Sequence, residues 1–215
     1  MKLGVFDSGI GGEAVAVSLR EYFPSAKVVT VNDRGNVPYG NKSPAQVRRL
    51  TELAIQPLLD GSCDMIVLAC NTATAFAIEQ LRAKYPTQKF IGLEPMIKPA
   101  AELTRTGIVA VCATPGTLTS TRYARLVQRY GSSLHIITPD CSQWAYWIEN
   151  NQLNQEHIAV TVNEVCEKGA DIIVLGCTHY HWIKELIIEL AAGRAQVLEP
   201  SEAIGRRIEL LLQLR

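Results

Sequence analysis

At 215 residues the chain has room for one or two domains and buries roughly 70% of its unfolded surface, so a hydrophobic core suffices without metal or disulfide staples. Lys plus Arg (21) balances Asp plus Glu (21), which excludes a protein that coats nucleic acid or anionic lipid by bulk positive charge. Apolar residues at 47% and charged ones at 20% describe a folded globular chain.

Val- and Ile-rich runs alternate with amphipathic stretches along the whole sequence. In chain order, a strand at 3–6 precedes a helix at 12–22, and a strand at 27–31 a helix at 44–60. The pattern continues with strand 65–69, helix 74–85, strand 90–93 and helix 97–105. It then restarts: strand 108–112, helix 119–130, strand 134–137, an aromatic helix at 143–149 and a helix at 155–168. Strand 172–176, helix 182–192, strand 196–198 and helix 202–214 complete it. Strands separated by helices of this length predict right-handed crossovers and parallel sheets covered on both faces, an α/β fold. No apolar run approaches the ~20 residues of a membrane helix. The N-terminal stretch reaches Asp7 too soon for a secretory signal. The expectation is a cytoplasmic protein whose six cysteines are thiols, and the lack of any C-x-x-C pair sets aside zinc-ribbon and thioredoxin-type motifs.

An internal repeat sharpens the architecture. The stretch Asp64-Met65-Ile66-Val67-Leu68-Ala69-Cys70 returns 107 residues later as Asp171-Ile172-Ile173-Val174-Leu175-Gly176-Cys177. At the same offset Asp7-Ser8-Gly9 falls on Thr114-Pro115-Gly116, and at an offset of 105 Leu93-Glu94-Pro95 is echoed by Leu198-Glu199-Pro200. The repeat predicts two similar parallel-sheet α/β domains related by a pseudo-two-fold axis, with a site in the cleft between them. The expected division is 1–95, completed by the C-terminal helix 201–215, and 96–200.

Ligands of open parallel sheets lie beyond the carboxyl ends of the strands. The unusual polar clusters fall there: Asp7-Ser8-Gly9, Cys70-Asn71-Thr72, Thr114-Pro115-Gly116-Thr117 and Cys177-Thr178-His179. Cys63, Cys112, Cys141 and Cys166 read as small core residues. Cys70 and Cys177 stand apart, at equivalent places of the two halves and each followed by polar side chains. His179 is placed to act on Cys177 as base or hydrogen-bond partner, and Asp7 to orient Cys70 if the first and third strands are neighbours. Two symmetry-related thiols facing one carbon suit racemisation, one removing a proton while the other delivers one to the opposite face.

Asp7-Ser8-Gly9-Ile10-Gly11-Gly12 fits a dinucleotide fingerprint poorly, and exposed amides at this helix start suit a carboxylate instead. Thr114 to Thr117 forms a mirrored anion site, so a substrate with two carboxylates uses both. Val37-Pro38-Tyr39-Gly40 reads as a turn. His179 and His181, alternating on an extended chain, point together but lack a third ligand, so no metal is expected.

Four motifs together resemble those of the glutamate racemases, within the aspartate/glutamate racemase superfamily: Asp7-Ser8-Gly9-Ile10-Gly11-Gly12, Val37-Pro38-Tyr39-Gly40, Ala69-Cys70-Asn71-Thr72-Ala73 and Gly176-Cys177-Thr178-His179-Tyr180. The resemblance implies Cys70 and Cys177 as proton donor and acceptor, Asp7 and His179 as their assistants, and Glu149 as the acid supporting the second thiol. It implies Ser8, Tyr39, Gly40, Asn71, Thr72, Thr114 and Thr178 as holders of the amino acid, with Pro38 and Thr117 beside them in their motifs. It further implies glutamate as substrate, no cofactor and no metal, D-glutamate for bacterial peptidoglycan, and a homodimer as a common assembly. The chain departs from the family pattern at Glu13, Arg34-Gly35-Asn36, Ser142 and His181, and ends at Arg215 where family chains usually continue. Alternatives are a racemase of aspartate or another amino acid, and a catalytically weak paralogue that binds a protein partner such as DNA gyrase. The intact cysteine pair argues against pure loss of catalysis, and the neutral charge against direct DNA binding.

Overall fold

The structure is a computed structural model that describes residues 1–213. The last residues of the expected helix 202–214 and of the segment 201–215 lie outside the described residues.

The first half runs β1 (Lys2–Asp7), α1 (Gly11–Tyr22), β2 (Lys27–Asn32), α2 (Pro44–Ala54), α3 (Gln56–Asp60), β3 (Met65–Leu68), α4 (Asn71–Lys84) and β4 (Lys89–Gly92). After α5 (Ile97–Leu103) the second half runs β5 (Ile108–Ala113), α6 (Pro115–Leu118), α7 (Thr121–Tyr130), β6 (His135–Ile137), α8 (Trp144–Glu149), α9 (Gln155–Glu167), β7 (Ile172–Gly176), α10 (Lys184–Ala191) and β8 (Gln196–Leu198). Then α11 (Ser201–Gln213) follows. The sheets are all parallel and share one topology, β2-β1-β3-β4 and β6-β5-β7-β8. These are the two similar α/β domains that the repeat implies.

Each sheet is covered on both faces, which is why its central strands are almost wholly apolar. Along β3, Ile66 and Leu68 enter a core with Phe6, Tyr39 and Cys70, while Met65 and Val67 enter the opposite one with Leu3, Val5, Ile204 and Ile208. Along β7, Ile173, Leu175 and Cys177 face Trp144 and Tyr180, whereas Ile172 and Val174 face Ile97 and Tyr123. The alternation is the period of two of a strand. It leaves Cys70 and Cys177 at the carboxyl end of the same face of their respective sheets.

The repeated aspartate has a structural task. Asp64 accepts the backbone N–H of Lys2 at 2.8 Å, and Asp171 those of Arg105 and Thr106 at 2.6 and 3.1 Å. In each half the carboxylate ties the start of the third strand to the chain entering the first.

Three expected helices differ in form. The stretch 44–60 breaks at Ile55, because Pro57 has no N–H to continue the ladder and instead opens α3. The stretch 119–130 starts late, as α7 from Thr121, because Ser120 caps it: its Oγ accepts the Tyr123 N–H at 3.1 Å, and the short helix α6 ends just before, at Leu118. The first two residues of 182–192 belong instead to a 3-10 segment, Thr178–Ile183, and the helix proper starts at Lys184. The reading of residues 179–181 as extended chain is therefore corrected: the tight turn sends the two imidazoles apart, His179 toward Glu149 and His181 toward Glu199.

Candidate active site

Both sheets reverse strand order between their first and third strands, and there a cleft opens beyond the carboxyl ends. Asp7-Ser8 follows β1 and Cys70 follows β3; Thr114 follows β5 and Cys177 follows β7. The halves close on a narrow cavity lined by both thiols. Ser8, Pro38, Tyr39, Gly40, Asn71 and Thr72 line it from the first half, and Thr114, Thr178 and His179 from the second. The halves touch where only glycine fits: a Cβ on Gly40 would stand 2.7 Å from Thr114 Cβ, and one on Gly116 2.8 Å from the Gly40 carbonyl oxygen.

Cys70 is the N-cap of α4, which starts at Asn71, three residues before the predicted 74. Its sulfur accepts the Ala73 N–H at 3.4 Å and the Ser8 hydroxyl at 3.2 Å. Burial, reinforced by the charge of Asp7, pushes the thiol up to about 12 despite those two donors. Cys70 is thus a thiol at neutral pH.

Cys177 stands opposite with different partners. His179 Nδ1 lies 3.8 Å from its sulfur, and His179 Nε2 lies 2.8 Å from Glu149 Oε2. Burial works against a charged imidazole, but the hydrogen bonds to Cys177 and Glu149 overcome it and raise His179 to about 10. Burial likewise works against ionised Glu149. Donors from His179, the Ile10 N–H and Arg34 hold it at about 2 nonetheless. The pair is an imidazolium and a carboxylate across the physiological range.

Asp7 is fully buried and does not line the cavity. It accepts the Gly9 N–H at 2.8 Å and the Thr178 hydroxyl at 2.8 Å, so it fastens the loop after β1 to the opposite half. Burial raises its pKa, opposed by the nearby His179. The orienting contact to Cys70 comes from Ser8.

The glycine loop also differs from the expectation of a substrate anion site. The Ile10 amide at the start of α1 already donates to Glu149 Oε2 at 2.9 Å, so the chain's own carboxylate takes that place. A Cβ on Gly9 would meet His179 Nε2 at 2.5 Å and Glu149 Oε2 at 2.6 Å. At the mirrored start, the hydroxyls of Thr72, Thr114 and Thr117 form a triangle with edges of 2.9, 3.1 and 3.3 Å. Thr117 stands behind the other two, outside the lining. Asn71 Oδ1 is buried without a hydrogen-bond partner on the cavity wall.

Sequence reasoning missed Val37, Ala145 and Gly176, which complete the lining and carry no chemical signal of their own. It also missed Asp33, which accepts the Tyr39 hydroxyl at 2.6 Å and fixes that wall. Of the other cysteines, Cys63, Cys112 and Cys141 are buried and Cys166 half-buried. Among the described residues no cluster of three or more His, Cys, Asp or Glu is placed to hold a metal ion. No helix among them is long and apolar enough to cross a membrane.

Two parallel α/β domains of one topology, closing on a small polar cavity with a thiol from each, have the architecture of an amino-acid racemase, an isomerase. The family described as Asp/Glu/Hydantoin racemase matches residues 13–204, and the chain belongs to that family. A glutamate racemase of Ectopseudomonas mendocina is 39% identical over 214 residues, 98% of this chain and 81% of the relative. One of Pseudomonas aeruginosa (strain UCBPP-PA14) is 39% identical over 217 residues, 99% of this chain and 82% of the relative. The Escherichia coli glutamate racemase, solved with L-glutamate and the activator UDP-MurNAc-ala, superposes with a TM-score of 0.84 at 27% identity, over 99% of this chain and 82% of that one. The Francisella tularensis enzyme, solved with D-glutamate, gives 0.81 at 26% identity, over 98% and 80%.

Proposed function

We propose that the chain interconverts L- and D-glutamate without a cofactor, by two-base proton transfer at the α-carbon, and supplies D-glutamate for peptidoglycan. The observation that carries this reading is the one cavity wall shared by Cys70 and Cys177, at equivalent strand ends of equivalent halves. In one direction Cys177 removes the α-proton while the Cys70 thiol, protonated at neutral pH, gives its proton to the other face. The thiols then hold each other's proton state, and the reverse reaction starts from there. Positioned acid and base of this kind contribute ~10²–10⁴-fold.

The lining supplies what an amino acid needs. Asn71 Oδ1, an acceptor without a partner, faces the ammonium group, and the hydroxyls of Thr72 and Thr114 donate to a carboxylate. Asp7 and Glu149 act from behind the wall, Asp7 through Thr178 and Glu149 through His179.

The same reading puts the enzyme in the cytoplasm and, with Lys plus Arg (21) equal to Asp plus Glu (21), without direct nucleic-acid partners, and takes a homodimer from the family resemblance. It divides the chain into residues 1–95, joined by Ser201–Gln213, and residues 96–200. The packing of Ile204 and Ile208 against Leu3, Val5 and Val15 supports that division.

Incubation with L-glutamate, and separately L-aspartate, in D₂O tests the function. The expected outcome is D-glutamate carrying deuterium at Cα, with little reaction of aspartate, and loss of racemisation in both Cys70→Ser and Cys177→Ser. Folded protein that exchanges neither acid, or single variants that racemise at nearly the full rate, would sink the reading.

A further inference from the structure

Arg34 does not line the cavity; it crosses the cleft mouth. Its Nε donates to Glu149 Oε1 at 2.8 Å, joining the loop after β2 in the first half to the end of α8 in the second. The Arg34 side chain is 61% exposed while that of Glu149 is 6% exposed, so a solvent-facing cation holds a buried carboxylate. Beside the pair a groove of about 930 Å³ opens outward, lined by Arg34, Pro38, Tyr146 and Glu149.

The partners of Glu149 divide between the halves. Arg34 and the Ile10 N–H come from the first half, His179 from the second. Separation of the halves removes the first two and leaves Glu149 with His179 alone. Cys70 differs: the hydroxyl of Ser8 and the N–H of Ala73 both belong to its own half. Closure therefore adds Arg34 and the Ile10 N–H to the carboxylate behind Cys177, while the hydrogen-bond donors to the Cys70 sulfur stay within its own half.

We propose that Arg34 is a positioning residue for racemisation, clamping Glu149 when the halves close and so setting His179 against Cys177. This rests on the two-thiol reading above. In the step concerned the Cys177 thiolate takes the α-proton and becomes a thiol, while the Cys70 thiol loses its proton to the opposite face and becomes a thiolate. Arg34 touches neither sulfur. It acts through two side chains on a single thiol, so its loss weighs on one side of the reaction.

The test uses the intact chain with Arg34→Gln and Arg34→Lys, measuring kcat and KM for each glutamate enantiomer with hydrogen or deuterium at Cα. The enantiomers have equal free energy, so kcat/KM falls equally in both directions and the asymmetry appears in the isotope effects. Expected for Arg34→Gln is a loss of about fivefold in kcat, the size for an exposed charged hydrogen bond. The deuterium effect should rise for one enantiomer only, and Arg34→Lys should recover more than half of the loss. Unchanged kcat in Arg34→Gln, or isotope effects that move alike for both enantiomers, overturns the role of Arg34 alone. A wild-type chain that exchanges the α-proton of neither enantiomer, or Cys177→Ser that still racemises, overturns the two-thiol reading and this role with it.

Discussion

The two thiols occupy equivalent positions yet live in different electrostatic settings. Cys70 is surrounded by neutral donors and the charge of Asp7, whereas Cys177 has His179 and Glu149 behind it. The His179–Glu149 pair makes stability depend on pH in a definite direction. His179 is raised from 6.5 to about 10, so its contribution is complete below about 6.5 and fades as pH rises through about 10. Glu149 is lowered from 4.5 to about 2, so its share is complete above about 4.5 and fades as pH falls through about 2. The pair contributes most between about 4.5 and 6.5. Denaturant unfolding of wild type and His179→Gln at pH 6.5 and pH 10 checks this: the stability gap should narrow toward pH 10. A gap that widens contradicts a charged imidazole.

At the scale of elements, the repeat has a mechanical basis. A parallel strand pair lacks a hairpin to set its register, and the repeated aspartate sets it by binding backbone amides of the neighbouring chain. Asp171 shows this best, accepting Arg105 N, Thr106 N and both threonine hydroxyls of residues 104 and 106. Those donors outweigh burial and hold its carboxyl below the usual range. Asp171→Ala should cost about 3 kcal/mol, the size for removing a charged acceptor from several donors, and a urea midpoint at pH 7 measures it. Because the anchor lies at the opposite ends of the strands from the thiols, KM of the folded variant should stay near that of wild type. The strands themselves were legible: all eight lie where Val- and Ile-rich runs place them. Helix ends were not, because caps such as Ser120 and the proline at 57 act on single hydrogen bonds that apolar periodicity does not register.

Across the whole molecule, the shape of the cavity depends on how closely two halves approach. Gly40, Gly116 and the glycines of the α1 loop let backbone meet backbone or side chain across the cleft. Gly116→Ala would place a methyl group 2.8 Å from the Gly40 carbonyl oxygen, and the halves must part by a fraction of an ångström. The expected result is a KM for glutamate raised about tenfold, equivalent to ~1.4 kcal/mol, with melting little changed since each sheet keeps its own core. Steady-state kinetics beside a thermal melt separates the two effects; an unaltered KM would show that the approach is not tight.

The sequence by itself determined the two-domain α/β architecture and singled out Cys70 and Cys177 among six cysteines. Strand patterning is local, and the 107-residue echo repeats it. Motif resemblance also pointed to Glu149, though without saying what holds it. Only the tertiary structure decided the partners. Ile10 and Glu149 are 139 residues apart, Arg34 and Glu149 115, and Asp7 and Thr178 171. Such hydrogen bonds depend on how two separately patterned sheets pack across a cleft, and neither periodicity nor spacing within one half encodes that.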